Sequence, residues 1–172
     1  RGEFLTSYTP YQPEVSQGML QAMWEFQTMV SELVGLPVSN VSMYDASTAA
    51  AEAITCAVRV KGRKASQKGV VYVSQFVPPH RLSVIENYAP GSGIELRVLK
   101  HGSDGRVDLS EATSAAGSCA VYVEQPNAFG ELDEGIAKLK EVIGEHTALI
   151  VGVDAVSLGM VEAPGNYGAD IV

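Results

Sequence analysis

Four short stretches of this 172-residue chain carry residues whose types and order could do chemistry. MYDASTAA, Met43 to Ala50, places five small residues and an aspartate where a helical pattern begins. His80 stands behind Pro78 and Pro79, and Asn127 behind Pro126 in QPNAFG. Asp154 closes the apolar stretch TALIVGV. Free backbone N–H groups beside Ser47 and Thr48 make an anion site at a helix N-terminus. A histidine fixed by two prolines can stack on a ring. A carboxylate ending an apolar strand is costly unless it is paired or exposed. Each has a plainer reading. Asp45 or Ser47 can be a simple N-cap, His80 a solvated loop side chain, and Asn127 the closer of an Asx-turn. No lysine or arginine lies within eight residues of MYDASTAA on either side, which weakens its claim on a phosphate.

Other chemistries are excluded by what the sequence lacks. There is no GxxxxGK[ST], and GSG at 91–93 lacks the remainder of a dinucleotide fingerprint. His80, His101 and His146 have no metal-ligand spacing. No GxSxG is present. The net charge, 12 − 20 = −8, argues against nucleic acid and anionic membranes as partners. With 46% apolar and 19% charged residues the chain reads as globular, and no apolar run approaches a membrane span. Cys56 and Cys119, without a CxxC, read as buried reduced thiols of a cytoplasmic chain.

The elements that must position these groups follow from periodicity. Met19, Met23, Phe26, Val30 and Leu33 recur at three and four, predicting a helix with one core-facing stripe that Gly35 ends. A second helix runs from Thr48 to about Lys61, with Ala50, Ala53, Ile54, Ala57 and Val58 inward. Strands follow at Val70–Ser74, Ile94–Leu99, Cys119–Glu124 and Thr147–Asp154, and another starts at Ala169. Helices are expected at Arg81–Tyr88, after the capping pair Asp108 and Glu111, and over Asp133–Glu145. Alternating helices and continuously apolar strands point to an α/β fold, a mostly parallel sheet with helices on both faces. The four chemical stretches then fall at the carboxyl ends of strands or at a helix start, where open α/β sheets bind ligands. The chain starts without Met and stops at GADIV, the opening of a strand. Residues 1–172 are therefore expected to be part of a single large domain, truncated at both ends. An N-terminal arm and helix would occupy 1–37 and an α/β core 38–172.

The order of the small-residue helix start, His80, Asn127 and Asp154 resembles fold-type I pyridoxal-phosphate enzymes, whose large domain has this architecture. The resemblance implies that these positions hold the cofactor phosphate, stack on its ring, contact the ring oxygen and pair with the pyridinium nitrogen. YTPYQPEVSQG, FQTMVSELVGLPVSNVSMYDASTAAAEA and PGNYGADIV are more specific. They resemble the glycine-cleavage P-protein family. MYDASTAAAEA and SLGMVEAPGNYGADIV look most like subunit 1, the α subunit, of its two-subunit form. The resemblance covers essentially the whole chain, as the middle of a full subunit.

That family decarboxylates glycine through pyridoxal phosphate and passes the aminomethyl group to the lipoyl arm of the H-protein. The Schiff-base lysine lies well beyond the aspartate, which from Asp154 falls past Val172. Lys61, Lys64, Lys68, Lys100, Lys138 and Lys140 all precede Asp154. In the two-subunit form the resemblance implies that subunit 2 carries the lysine and the working cofactor, and that subunit 1 lacks the lysine. No catalytic residue is then expected within this chain. Ser47, Thr48, His80, Asn127 and Asp154 become vestigial cofactor-site residues. Tyr8 and Tyr11, in the proline-fixed arm, become candidates for reaching the partner's site or the interface. Two alternatives stay open: a self-sufficient pyridoxal-phosphate lyase or transferase of the cysteine-desulfurase type with its lysine beyond residue 172, and a scaffold subunit with no part in chemistry.

Overall fold

The computed structural model describes residues 9–61 and 69–172. The chain divides into two compact units, Arg1–Met43 and Tyr44–Val172.

The first unit is built on helix α1, Gln17–Val34. Gly35 stops it at φ 72°, a left-handed conformation that glycine adopts without a Cβ penalty, and its N–H bonds Ser31 O. The expected core stripe does not close. Val34 is the buried residue of the helix, Met19, Met23 and Val30 are partly covered, and Phe26 and Leu33 are exposed. A single helix with its flanking turns offers no second apolar layer against which a stripe could be buried.

The second unit is the α/β body. Helix α2 spans Ala46–Lys61 and packs inward through Ala50, Ala51, Ile54, Ala57 and Val58. Then come β1 (Gly69–Ser74), α3 (Pro79–Gly91), β2 (Ile94–Leu99), α4 (Leu109–Ala112), β3 (Ala120–Gln125), α5 (Leu139–Ile143) and β4 (Ala148–Val153). The strands form an all-parallel sheet in the order β2-β1-β3-β4. β3 is buried along its whole length and β1 nearly so, which explains their continuously apolar sequences. One face, through Val71, Val73, Tyr122 and Ile150, packs on α2 and α3. The other, through Val121, Val123, Leu149 and Val151, packs on α4, α5 and the short turns between them. Helices therefore cover both faces, as the alternation predicts.

Three details depart from expectation. Residues 133–145 are not one helix. A 3₁₀ segment, Glu134–Lys138, leads into the short α5, because the Asp133 carboxylate accepts from Gly135 N and Val107 N and holds the first turn tight. Helix α3 starts two residues early and runs through Pro90 to Gly91. The cysteines are not buried: Cys56 is exposed on α2 and Cys119 is partly exposed, both as free thiols.

The two margins of the sheet differ. At β2 an ion pair, Arg97 to Glu95 at 2.8 Å, lies exposed on the outermost strand. At β4 the chain returns: Ile171 forms a parallel bridge with Ile150, and Val151 N donates to Ile171 O at 3.0 Å. Asp170 secures this return, accepting from Leu149 N and from Lys140 Nζ, each at 2.8 Å. Among the described residues no helix is long and apolar enough to cross a membrane.

Candidate functional site

In a parallel sheet all strands end on one side, so Ser74, Leu99, Gln125 and Val153 share one edge. The residues after these ends are the loop after β1, His101 after β2, the Pro126–Gly130 loop after β3 and Asp154 after β4. Helix α3 begins there, five residues past Ser74. The N-terminus of α2, which carries the remaining stretch, begins at Ala46. Three of the four stretches, those of His80, Asn127 and Asp154, follow the carboxyl ends of strands. Among the described residues, no hydrogen bond links any of them to another.

The α2 start is a closed cap. Asp45 Oδ1 accepts from Thr48 N at 2.7 Å and from Thr48 Oγ1 at 3.0 Å, while Asp45 N donates to Thr48 Oγ1 at 3.2 Å. This is a reciprocal capping box in which threonine takes the place usual for glutamate. The Thr48 N–H and then its hydroxyl, with a smaller share from Ser47 N–H, hold the Asp45 carboxyl below its usual range. A negative oxygen thus already takes the Thr48 N–H, one of the groups a phosphate would use there.

The other positions engage local backbone as well. Asn127 is buried, and its Oδ1 accepts from Phe129 N at 2.9 Å and Glu131 N at 3.2 Å, closing its own loop. Asp154 is exposed and accepts from Val156 N at 2.9 Å, capping the turn that follows β4. His80 is exposed on the first turn of α3. In the first unit Tyr11 is 89% exposed, and Tyr8 lies outside the described residues.

Two constellations at this edge escaped sequence reasoning. Arg81 turns inward from α3 and meets Glu124 of β3, Nη1 to Oε1 at 2.6 Å, with Glu124 only 6% exposed. Tyr122 donates its hydroxyl to the same carboxylate oxygen at 2.8 Å. Burial first, then the Glu124 charge, drives the Tyr122 phenol well above its usual range. Gly152 on β4 makes the room, since a Cβ there would sit 2.7 Å from the Tyr122 hydroxyl. A lone glutamate inside the apolar strand CAVYVE was the available signal, because a buried carboxylate demands a partner. The second constellation joins Ser74 Oγ to His101 Nε2 at 2.8 Å and His101 Nδ1 to Gly105 O at 3.2 Å. Burial lowers the His101 pKa from its ordinary value. Serine and histidine lie 27 residues apart in sequence, and only the parallel β1–β2 pairing brings them together.

As placed, these side chains do not fit a pyridoxal phosphate. Asp45 takes the Thr48 N–H at the helix N-terminus, and Asn127 and Asp154 accept from their own turns. Lys61 and Lys140 lie at the opposite edge around Asp170, and Lys100 is exposed beside the outer strand.

Comparison with known proteins gives the setting. All of residues 1–172 match the family model described as glycine cleavage system P-protein. The chain is 49% identical over 174 residues to the probable glycine dehydrogenase (decarboxylating) subunit 1 of Pyrococcus abyssi, and 47% to that of Thermococcus onnurineus. Each alignment covers 100% of this chain, which spans 38% of the length of these relatives. A crystal structure of glycine decarboxylase (P-protein) in inhibitor-bound form matches with a TM-score of 0.83 at 42% identity, over 99% of this chain and 37% of that one. An alanine–glyoxylate aminotransferase from Nostoc shares the fold, with a TM-score of 0.62 at 19% identity over 90% of this chain and 40% of its own.

Proposed function

The chain belongs to the glycine cleavage system P-protein family, and from that premise we propose that it is part of subunit 1 of a two-subunit glycine decarboxylase. The assembly, acting in the cytoplasm, decarboxylates glycine and passes the aminomethyl group to the lipoyl arm of the H-protein. Pyridoxal phosphate, which supplies an electron sink when bound, belongs in this reading to subunit 2. Subunit 1 holds no catalytic residue in this segment and supports the partner's site.

The observation that carries this reading is the Asp45 carboxylate on Thr48 N. Ser47 and Thr48 stand where the resemblance would put a phosphate cradle. A carboxylate fixed at a helix N-terminus repels a second anion from the same N–H groups. In this reading the α2 start is a cradle by descent, and a carboxylate of its own turn now takes the Thr48 N–H. Exposed Tyr11 is free to reach across an interface.

The test uses full-length subunit 1 with and without subunit 2. Subunit 1 alone, given pyridoxal phosphate, should develop no visible absorbance band that borohydride abolishes. Adding subunit 2 should restore both the band and glycine decarboxylation. A reducible band on subunit 1 alone would overturn this division of labour and favour a self-sufficient enzyme.

A further inference from the structure

We propose that His101 is a pH-sensitive latch that fixes the loops following β1 and β3 while its ring is neutral, and frees them when Nε2 takes up a proton. The geometry fixes the tautomer. Gly105 O can only accept, so Nδ1 at 3.2 Å must carry the hydrogen. Nε2 is then the acceptor in the neutral ring, and the Ser74 hydroxyl donates to it at 2.8 Å. Ser74 Oγ in turn accepts from Phe76 N at 3.1 Å. One directed chain therefore runs from the Phe76 amide through Ser74 and the imidazole to the Gly105 carbonyl.

This chain joins three loops. The His101 ring packs on Phe76 with centroids 4.3 Å apart, and Phe76 meets Phe129 edge-on at 5.2 Å. Phe76 O accepts from Ala128 N at 3.0 Å, tying the loop after β3 to the loop after β1. A proton on Nε2 reverses one link. Ser74 Oγ would then face two donors, Nε2–H and Phe76 N–H, and its own hydrogen would lose its acceptor. Ser74 is 4% exposed, so water cannot readily replace what is lost.

The charged groups around the ring oppose the latch only partly. Asp104 on its own turn, with Glu131 and Asp133 from the loop after β3, favour the protonated ring. Arg106 lines the same small cavity as those carboxylates. The loop after β1 presents uncharged Ser74, Gln75 and Phe76. Burial outweighs the Gly105 hydrogen bond and the carboxylates, and so favours the neutral ring. Because the latched state binds fewer protons than the open one, latching is complete above the ordinary histidine range and fades as pH falls below it.

The inference does not depend on the decarboxylase reading, and its test does not use activity. On the full chain, ¹⁵N shifts of the His101 ring and hydrogen exchange at the Phe76 and Ala128 amides are followed from about pH 8 to pH 5. The neutral ring should be the Nδ1–H tautomer. The protection factors of both amides should fall by up to about tenfold per pH unit below about 6.5. His101→Phe keeps a ring against Phe76 and should abolish the pH dependence. Ser74→Ala should do the same at Phe76, and serves if the first variant folds poorly. An Nε2–H tautomer, or protection independent of pH in the unaltered chain, would overturn the latch.

Discussion

Arg81 and Glu124 stand 2.6 Å apart where the first turn of α3 crosses the carboxyl end of β3, and the pair is largely withdrawn from water. Two opposite charges buried together cost desolvation and repay it through contact, so removing one partner is far worse than neutralising both. Arg81→Met should destabilise the domain by about 3–5 kcal/mol in denaturant titrations. Adding Glu124→Gln should recover much of that loss, since a neutral amide still accepts from the Tyr122 hydroxyl. Additive losses would show that the two side chains do not act as a pair.

Gly152 carries the space for that same cluster. With a Cβ at 2.7 Å from the Tyr122 hydroxyl, Gly152→Ala should cost about 1–3 kcal/mol by overpacking. Tyr122→Phe removes the clashing oxygen. The double variant should therefore lose less than the sum of the two singles, a coupling that thermal or denaturant unfolding can read.

The Asp45 cap sets an acid limit on α2. Thr48 N–H and the Thr48 hydroxyl depress the Asp45 pKa in the folded state. Its contribution is therefore full above the ordinary carboxylate pKa and is lost as pH falls through the folded value. Asp45→Ala should melt below the unaltered protein at neutral pH, and that gap should close in acid. Asp45→Asn, also a good N-cap, should keep most of the cap without the acid dependence. A gap that stays constant with pH would show that the carboxylate charge plays no part.

At the opposite edge, Lys140 should hold the return of the chain onto β4. Its ammonium lies 2.8 Å from Asp170 Oδ2 and 3.1 Å from Thr147 O. Lys140→Met should cost about 1.5–3 kcal/mol, the range for a hydrogen bond to a charged group. Faster exchange of the Leu149 amide, which donates to Asp170, would locate the damage. Unchanged exchange there would detach Lys140 from this role.

The α/β class, the strands and the common edge of His80, Asn127 and Asp154 were legible because they rest on period, punctuation and strand order. These are local properties of a parallel sheet. Less legible was what each side chain does once there. Asp45 and Thr48 are three residues apart, and the sequence alone does not decide whether the aspartate caps its own helix or leaves the N–H groups to a ligand. Ser74 and His101 meet only through strand pairing, and Arg81 and Glu124 only through the docking of α3 on the sheet. Such contacts between distant residues leave no periodic trace. The α1 stripe misled for a related reason: an apolar face signals a need for cover without naming what covers it.

The unlike margins of the sheet give it a direction of growth. At β4 the ladder already receives the chain at Ile171, clasped by Asp170 and Lys140. At β2, Glu95 and Arg97 stand as a charged pair on the last strand, a device that discourages stray strands from adding to an open edge. One flank is thus occupied by residues of the same chain, while the other presents paired charges that an added strand would have to desolvate.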